Sequence, residues 1–199
     1  MSSLLDEPDS ETLTPAQRLR TTMAAVRVAI SWFGVRKTLT PQQKAQAADT
    51  FGAEGQYLSA GKKLLDTSHP AYKAVSTVRG QIMAFWRGIS LPYPEPGIRL
   101  IRQDDIGGFT LQMTTLKAEL GEAVDSLDRH YAELKRAARG RLGSLYNEAD
   151  YPASLRDLFG VEWDFPSVEP PEYLRQLSPH LYQEECRRVQ QRFDEAVQL

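Results

Sequence analysis

Nine apolar residues constrain this chain more than anything else in it: Phe109, Met113, Leu116, Leu120, Val124, Leu127, Tyr131, Leu134 and Ala138 follow one another at steps of four and three. Steps of that size bring side chains back to one face of an α-helix, whereas a strand repeats every second residue. Lys117, Glu119, Glu122, Asp125, Asp128, Arg129 and Glu133 fill the remaining positions with a solvated face. The spacing predicts one continuous amphipathic helix over roughly 104–139, ended by Gly140 and Gly143. Such a helix is on the order of 50 Å long. Its apolar stripe needs a partner along that length.

The nearest partner in the sequence begins at Ser68-His69-Pro70. There Tyr72, Val75, Val78, Ile82, Phe85 and Ile89 repeat at helical steps until Pro92, Pro94, Pro96 and Gly97 stop them. The connection to the long helix is too long for a tight hairpin but permits antiparallel packing. Thr14-Pro15 and Thr40-Pro41 are capped helix starts, predicting short helices over 15–25 and 42–50. A small helix is expected over 153–159. Ser178-Pro179 opens a last helix with Tyr182, Cys186, Val189, Phe193 and Val197 on one face.

Two segments alternate instead. Val26, Val28, Ile30 and Trp32 share a face at period two, and so do Val161, Trp163 and Phe165. The first also fits a helix through Leu19, Met23, Arg27 and Ile30; the β-branched alternation favours a strand. Each is too short to stand alone, so the two are expected to pair. With a short extended piece at Ile98 and Leu100, the expected fold is mainly α (α+β): a long antiparallel helical pair, a small antiparallel β-sheet and a C-terminal helix.

Within its 199 residues, the chain has an acidic start (Asp6, Glu7, Asp9, Glu11) expected to form a disordered tail over 1–13, leaving 14–199 as a single domain. A net charge of −2 gives no global pull toward nucleic acid or an anionic surface. The lone Cys186 suits a reducing compartment, and the opening MSSLLDEPDSE has neither a basic start nor an apolar run, so a cytoplasmic protein without a leader is expected. No stretch is long and apolar enough to predict a membrane span.

The candidate sites are sparse. His69, His130 and His180 each lack a Cys or His neighbour at zinc spacing, so no metal site is expected. Asp104-Asp105 and Glu184-Glu185 sit where acids favour a helix start. Gly61-Lys62-Lys63 is followed by Leu64 and fails as a phosphate loop; no cofactor is expected. Nothing supplies a base to Cys186. One charge feature stands out: Lys135, Arg136, Arg139 and Arg141, flanked by Tyr131 and Tyr146. It suits a helix C-terminus, and it is also the candidate nucleic-acid-binding patch. Trp86, Tyr93 and Trp163 are the candidate partner-binding aromatics.

The order of several short strings adds a resemblance. Ile30-Ser31-Trp32-Phe33-Gly34-Val35-Arg36-Lys37-Thr38-Leu39 precedes Gly-Lys-Lys-Leu-Leu-Asp at 61–66. Then come Gly88-Ile89-Ser90-Leu91-Pro92, a long helix with Tyr131, Tyr151-Pro152 and Phe159-Gly160-Val161-Glu162-Trp163. Over residues 24–199 this resembles DUF3150, a bacterial and phage family of unknown function. The resemblance implies an accessory protein of mobile elements, or of operons with MoxR-type AAA ATPases and von Willebrand A domains. It carries over no catalytic residue. A non-catalytic adaptor acting on a protein partner or a second copy of itself is therefore expected, with a nucleic-acid accessory role as the alternative.

Overall fold

The structure, a computed structural model, describes residues 13–199; of the tail expected over 1–13, all but Leu13 lies outside the described residues. Those residues form a mainly helical α+β fold. Helices α1 (Pro15–Thr22) and α2 (Pro41–Asp49) share one start signal, Thr-Pro-x-Gln. In both, the threonine hydroxyl accepts from the glutamine N–H and the glutamine side chain accepts from the threonine N–H, at 2.8–3.3 Å. This reciprocal cap satisfies two otherwise orphaned donors, each cap being worth about 1 kcal/mol.

Strand β1 (Met23–Ser31) begins directly after α1, earlier than the sequence predicts. Val26, Val28 and Ile30 turn inward while Arg27, Ala29 and Ser31 face water, so period two wins over the helical alternative. Met23 and Ala24 are drawn in because their backbone pairs with Arg102 and Ile101. The four-stranded sheet has the order β4 (Ser90–Pro92), β5 (Ile98–Arg102), β1, β6 (Gly160–Asp164), which makes the expected neighbours of β1 and β6 adjacent. A separate two-stranded antiparallel sheet pairs β2 (Arg36–Thr38) with β3 (Gly61–Lys63), so Gly61-Lys62-Lys63 is a strand and not a loop.

Helix α3 spans Pro70–Ile89. All nine stripe residues are buried, none more than 7% exposed. They do not lie on one uninterrupted helix, however. A short 3₁₀ turn over Gln103–Asp105 precedes α4 (Ile106–Arg129), and α5 (Tyr131–Leu142) follows after a break at His130. His130 has a φ of −92° and a ψ of 0°, and its N–H is shared between the carbonyls of Ser126 and Leu127. Its ring Nδ1 sits 2.8 Å from that same Ser126 carbonyl, so the side chain competes for the helix's own acceptor. Gly140 stays helical, and the end falls at Gly143, whose φ of 54° suits glycine. The helix expected over 153–159 is only a 3₁₀ turn, Arg156–Leu158. Two helices complete the chain: α6 (Tyr173–Leu177) and α7 (Pro179–Gln198).

The chain groups into two compact units, and the division falls inside β1, α3, α4 and β6. One unit holds 13–28, Arg87–Phe109 and Trp163–Leu199. Its core joins Ala25 of β1 and its sheet partner Leu100 to Tyr93, Val189 and Phe193, and α1 packs on α7. The other unit holds Ala29–Trp86 and Thr110–Glu162, with Val75, Ile82, Met113, Leu120, Leu127 and Leu155 fully buried. No helix of the described residues is long and apolar enough to cross a membrane.

Candidate functional site: a tyrosine-walled cationic cleft

The second unit carries an open cleft of about 450 Å³, lined by Tyr131, Lys135, Arg136 and Arg139 of α5 and by Tyr146 and Glu148 from the segment beyond it. Helical spacing places Tyr131, Lys135 and Arg139 four apart on one face. The chain then turns at Gly143 and runs back so that Tyr146, Glu148 and Tyr151 meet that face.

The aromatic walls are anchored. The Tyr131 hydroxyl donates to the Pro152 carbonyl at 2.8 Å, and the Tyr151 hydroxyl donates to the Leu64 carbonyl at 2.7 Å. Burial pushes both phenols up to about 12. Tyr146 stacks on Tyr151 at 5.1 Å. Cations lie over these rings: Lys135 Nζ is 5.5 Å from the centre of Tyr131 and 5.8 Å from Tyr151, and the Arg139 guanidinium is 4.9 Å from Tyr146. Asp128 secures the adjoining wall by accepting from the Leu155 N–H at 2.8 Å and the Ser154 hydroxyl at 3.1 Å.

Glu148 is at the centre of the charge arrangement. Its Oε1 accepts from Lys135 Nζ at 2.5 Å and its Oε2 lies 3.4 Å from Arg139, while the Tyr146 hydroxyl donates to Oε2. Lys135 first, then Tyr146, hold its carboxyl below the usual carboxylate range, and in return Glu148 raises the Tyr146 phenol.

The four cations predicted from the run therefore do not form a bare phosphate strip. Lys135 and Arg139 share Glu148, and Arg141 faces Asp66 at 3.2 Å. Arg136 is exposed and has no carboxylate partner among the described residues. Of the aromatics singled out for partner binding, Trp86 and Tyr93 are 7% and 6% exposed, and Tyr93 packs edge-on against Phe193 at 5.5 Å. Trp163 is half-buried on β6.

Two further groupings escaped the sequence. The rings of His69 and His130 meet at a tilt of 54° with centres 5.2 Å apart, and Glu133 Oε1 lies 3.8 Å from His69 Nε2. The Ala71 N–H donates to His69 Nδ1, so in the neutral ring the proton sits on Nε2, where a metal would need a lone pair. Among the described residues no group of three metal-ligating side chains occurs. The other is an ion pair: Lys62 Nζ lies 2.6 Å from Asp150 Oδ2, approaching off the hydrogen-bonding direction, and donates to the Leu145 carbonyl at 2.7 Å. Both side chains are almost fully buried, and Lys37 also binds Asp150 from the exposed side.

No single residue predicts Glu148. The available signal is that 135–147 carries four cations and no acid, and the next acid toward the C-terminus, Glu148, stands between Tyr146 and Tyr151; Glu133 is nearer in sequence, so distance along the chain does not select Glu148.

No family model, curated protein or solved structure matches the chain. The cleft is thus argued from its own geometry.

Proposed function

We propose that this protein is a non-catalytic adaptor that docks a protein partner in the cleft between Tyr131, Tyr146, Arg136 and Arg139. One observation carries this: the half-buried Tyr146 ring, backed by the buried and anchored Tyr131, and two guanidinium groups converge on one open concavity of about 450 Å³. Tyrosine and arginine are enriched among the few residues that carry most of the binding energy at protein interfaces. A nucleic-acid strip would place several cations at the disposal of phosphates. Here Lys135, Arg139 and Arg141 already have carboxylate partners, and a chain of net charge −2 adds no steering. The resemblance in residue order supports a setting in a phage, mobile-element or AAA-ATPase-associated system.

The test is a photo-crosslinking residue at Ala132, which lines the cleft, in cells of the source. The expected result is a discrete protein adduct that disappears in the Arg136→Glu, Tyr146→Ala double variant. A nucleic-acid adduct, or an adduct pattern identical to that from a probe at exposed Phe51, would overturn the proposal. The nucleic-acid alternative rests on Arg136, the patch cation without a partner. It requires oligonucleotide affinity that falls with salt and is lost in Arg136→Glu, Arg139→Glu.

A further inference from the structure

We infer that Glu148 occupies the cleft as a stand-in for a carboxylate of the partner, so that the site selects an acidic peptide segment and Glu148 gates its entry. This rests on the docking role proposed above. Three donors, the Lys135 ammonium, the Arg139 guanidinium and the Tyr146 hydroxyl, point at one carboxylate from three sides. That is a carboxylate-recognition site already filled by a residue of the same chain. The Glu148 side chain is 60% exposed, so it is in reach of exchange.

The short turn that carries Glu148 does not depend on its side chain. Asn147 Oδ1 accepts from the Ala149 N–H at 3.0 Å, and Asp150 is tied down by Lys37 and Lys62. Glu148 can therefore swing into water while the turn stays in place. The Lys135 ammonium also stays put, because Tyr131 and Tyr151 are fixed through their own hydroxyls and hold it above their rings. Replacing one carboxylate by another is close to neutral in hydrogen bonding. A net gain requires a second acid, and Arg136, which has no carboxylate partner among the described residues, lines the same cleft and can receive it. The fitting ligand is a peptide with two acidic side chains close together. A peptide with one acid only exchanges with Glu148.

The experiment is fluorescence anisotropy at low salt with a fluorescein-labelled tetraglutamate peptide, on wild type, Glu148→Gln, and Glu148→Gln combined with Arg136→Gln. Glutamine keeps the shape and removes the charge. Glu148→Gln should bind about tenfold tighter than wild type, the value of one charge-assisted contact, and the added Arg136→Gln should reverse the gain. Because the ion pairs of Glu148 are solvent-facing, the variant should melt close to wild type, and a melting scan checks this. Equal binding by wild type and Glu148→Gln, abolished by Tyr146→Ala, would overturn the gate and leave the docking site standing. No peptide binding by either protein would overturn the inference, while the Ala132 crosslink decides the docking role separately. Tighter binding of an oligothymidine strand than of the peptide by Glu148→Gln would overturn it in favour of nucleic acid.

Discussion

Removing the Asp150 carboxylate tests the most buried ion pair among the described residues. The Lys62 side chain is 6% exposed and that of Asp150 3%, so in Asp150→Ala an ammonium stays out of water with only the Leu145 carbonyl as acceptor. Breaking such a pair from one side costs about 3 kcal/mol, because the remaining charge is uncompensated. For a chain of this size that lowers the melting midpoint by roughly 6–12 °C. Lys62→Met removes the ammonium and keeps most of the stem volume. On that background Asp150 retains only Lys37, which is 54% exposed, and Asp150→Ala then costs about 1 kcal/mol. The cycle predicts a coupling of about 2 kcal/mol, measured by urea unfolding of the four proteins. Equal costs of Asp150→Ala in both backgrounds would refute the reasoning. The pH dependence has a defined sign. Lys37 first, then Lys62, hold the Asp150 carboxyl below its ordinary value. Its contribution is therefore complete above about pH 4 and is lost as the pH falls through the depressed folded value.

Three more outcomes follow from named contacts. Phe193, 1% exposed and edge-on to Tyr93, should cost about 3–5 kcal/mol in urea unfolding when replaced by alanine, and a loss under 1 kcal/mol would contradict its place in the core. The Asp66 carboxyl, held by the Ser68 hydroxyl and N–H and then by Arg141, should titrate at about 2 by carboxyl-carbon NMR; its contribution is present above about pH 4 and lost toward pH 2, and Ser68→Ala should raise the midpoint. Tyr131 and Tyr151 should ionise at about 12 in the tyrosinate absorbance, so their contribution is complete below about pH 10 and lost as the pH rises toward 12; a high-pH step of unchanged amplitude in Tyr131→Phe, Tyr151→Phe would show that the wrong pair was chosen.

The difference between what the sequence shows and what it hides lies in the range of the interactions. Phe109 to Ala138 and Val26 to Ile30 declare themselves because burial acts on every third, fourth or second residue, and that period survives in the string of letters. The break at His130 does not: it comes from one imidazole and one N–H reaching the same carbonyl, which leaves the apolar spacing intact. The division into two units is equally silent, since no linker separates stretches that enter and leave each unit within a strand or a helix. The cleft falls between these cases. Its cations and Tyr146 are visible as a local cluster, and the same cluster suits a helix C-terminus, so composition alone cannot rank the two. What ranks them is geometry set beyond the helix: the turn at Gly143 brings Glu148 back over residues 9 and 13 positions earlier, and Asp66 reaches Arg141 across 75. Those returning acids turn a run of like charge into a balanced socket with Arg136 at its edge. The proposal of a carboxylate-bearing protein, and not a phosphate backbone, as the ligand rests on this balance and not on the count of basic residues.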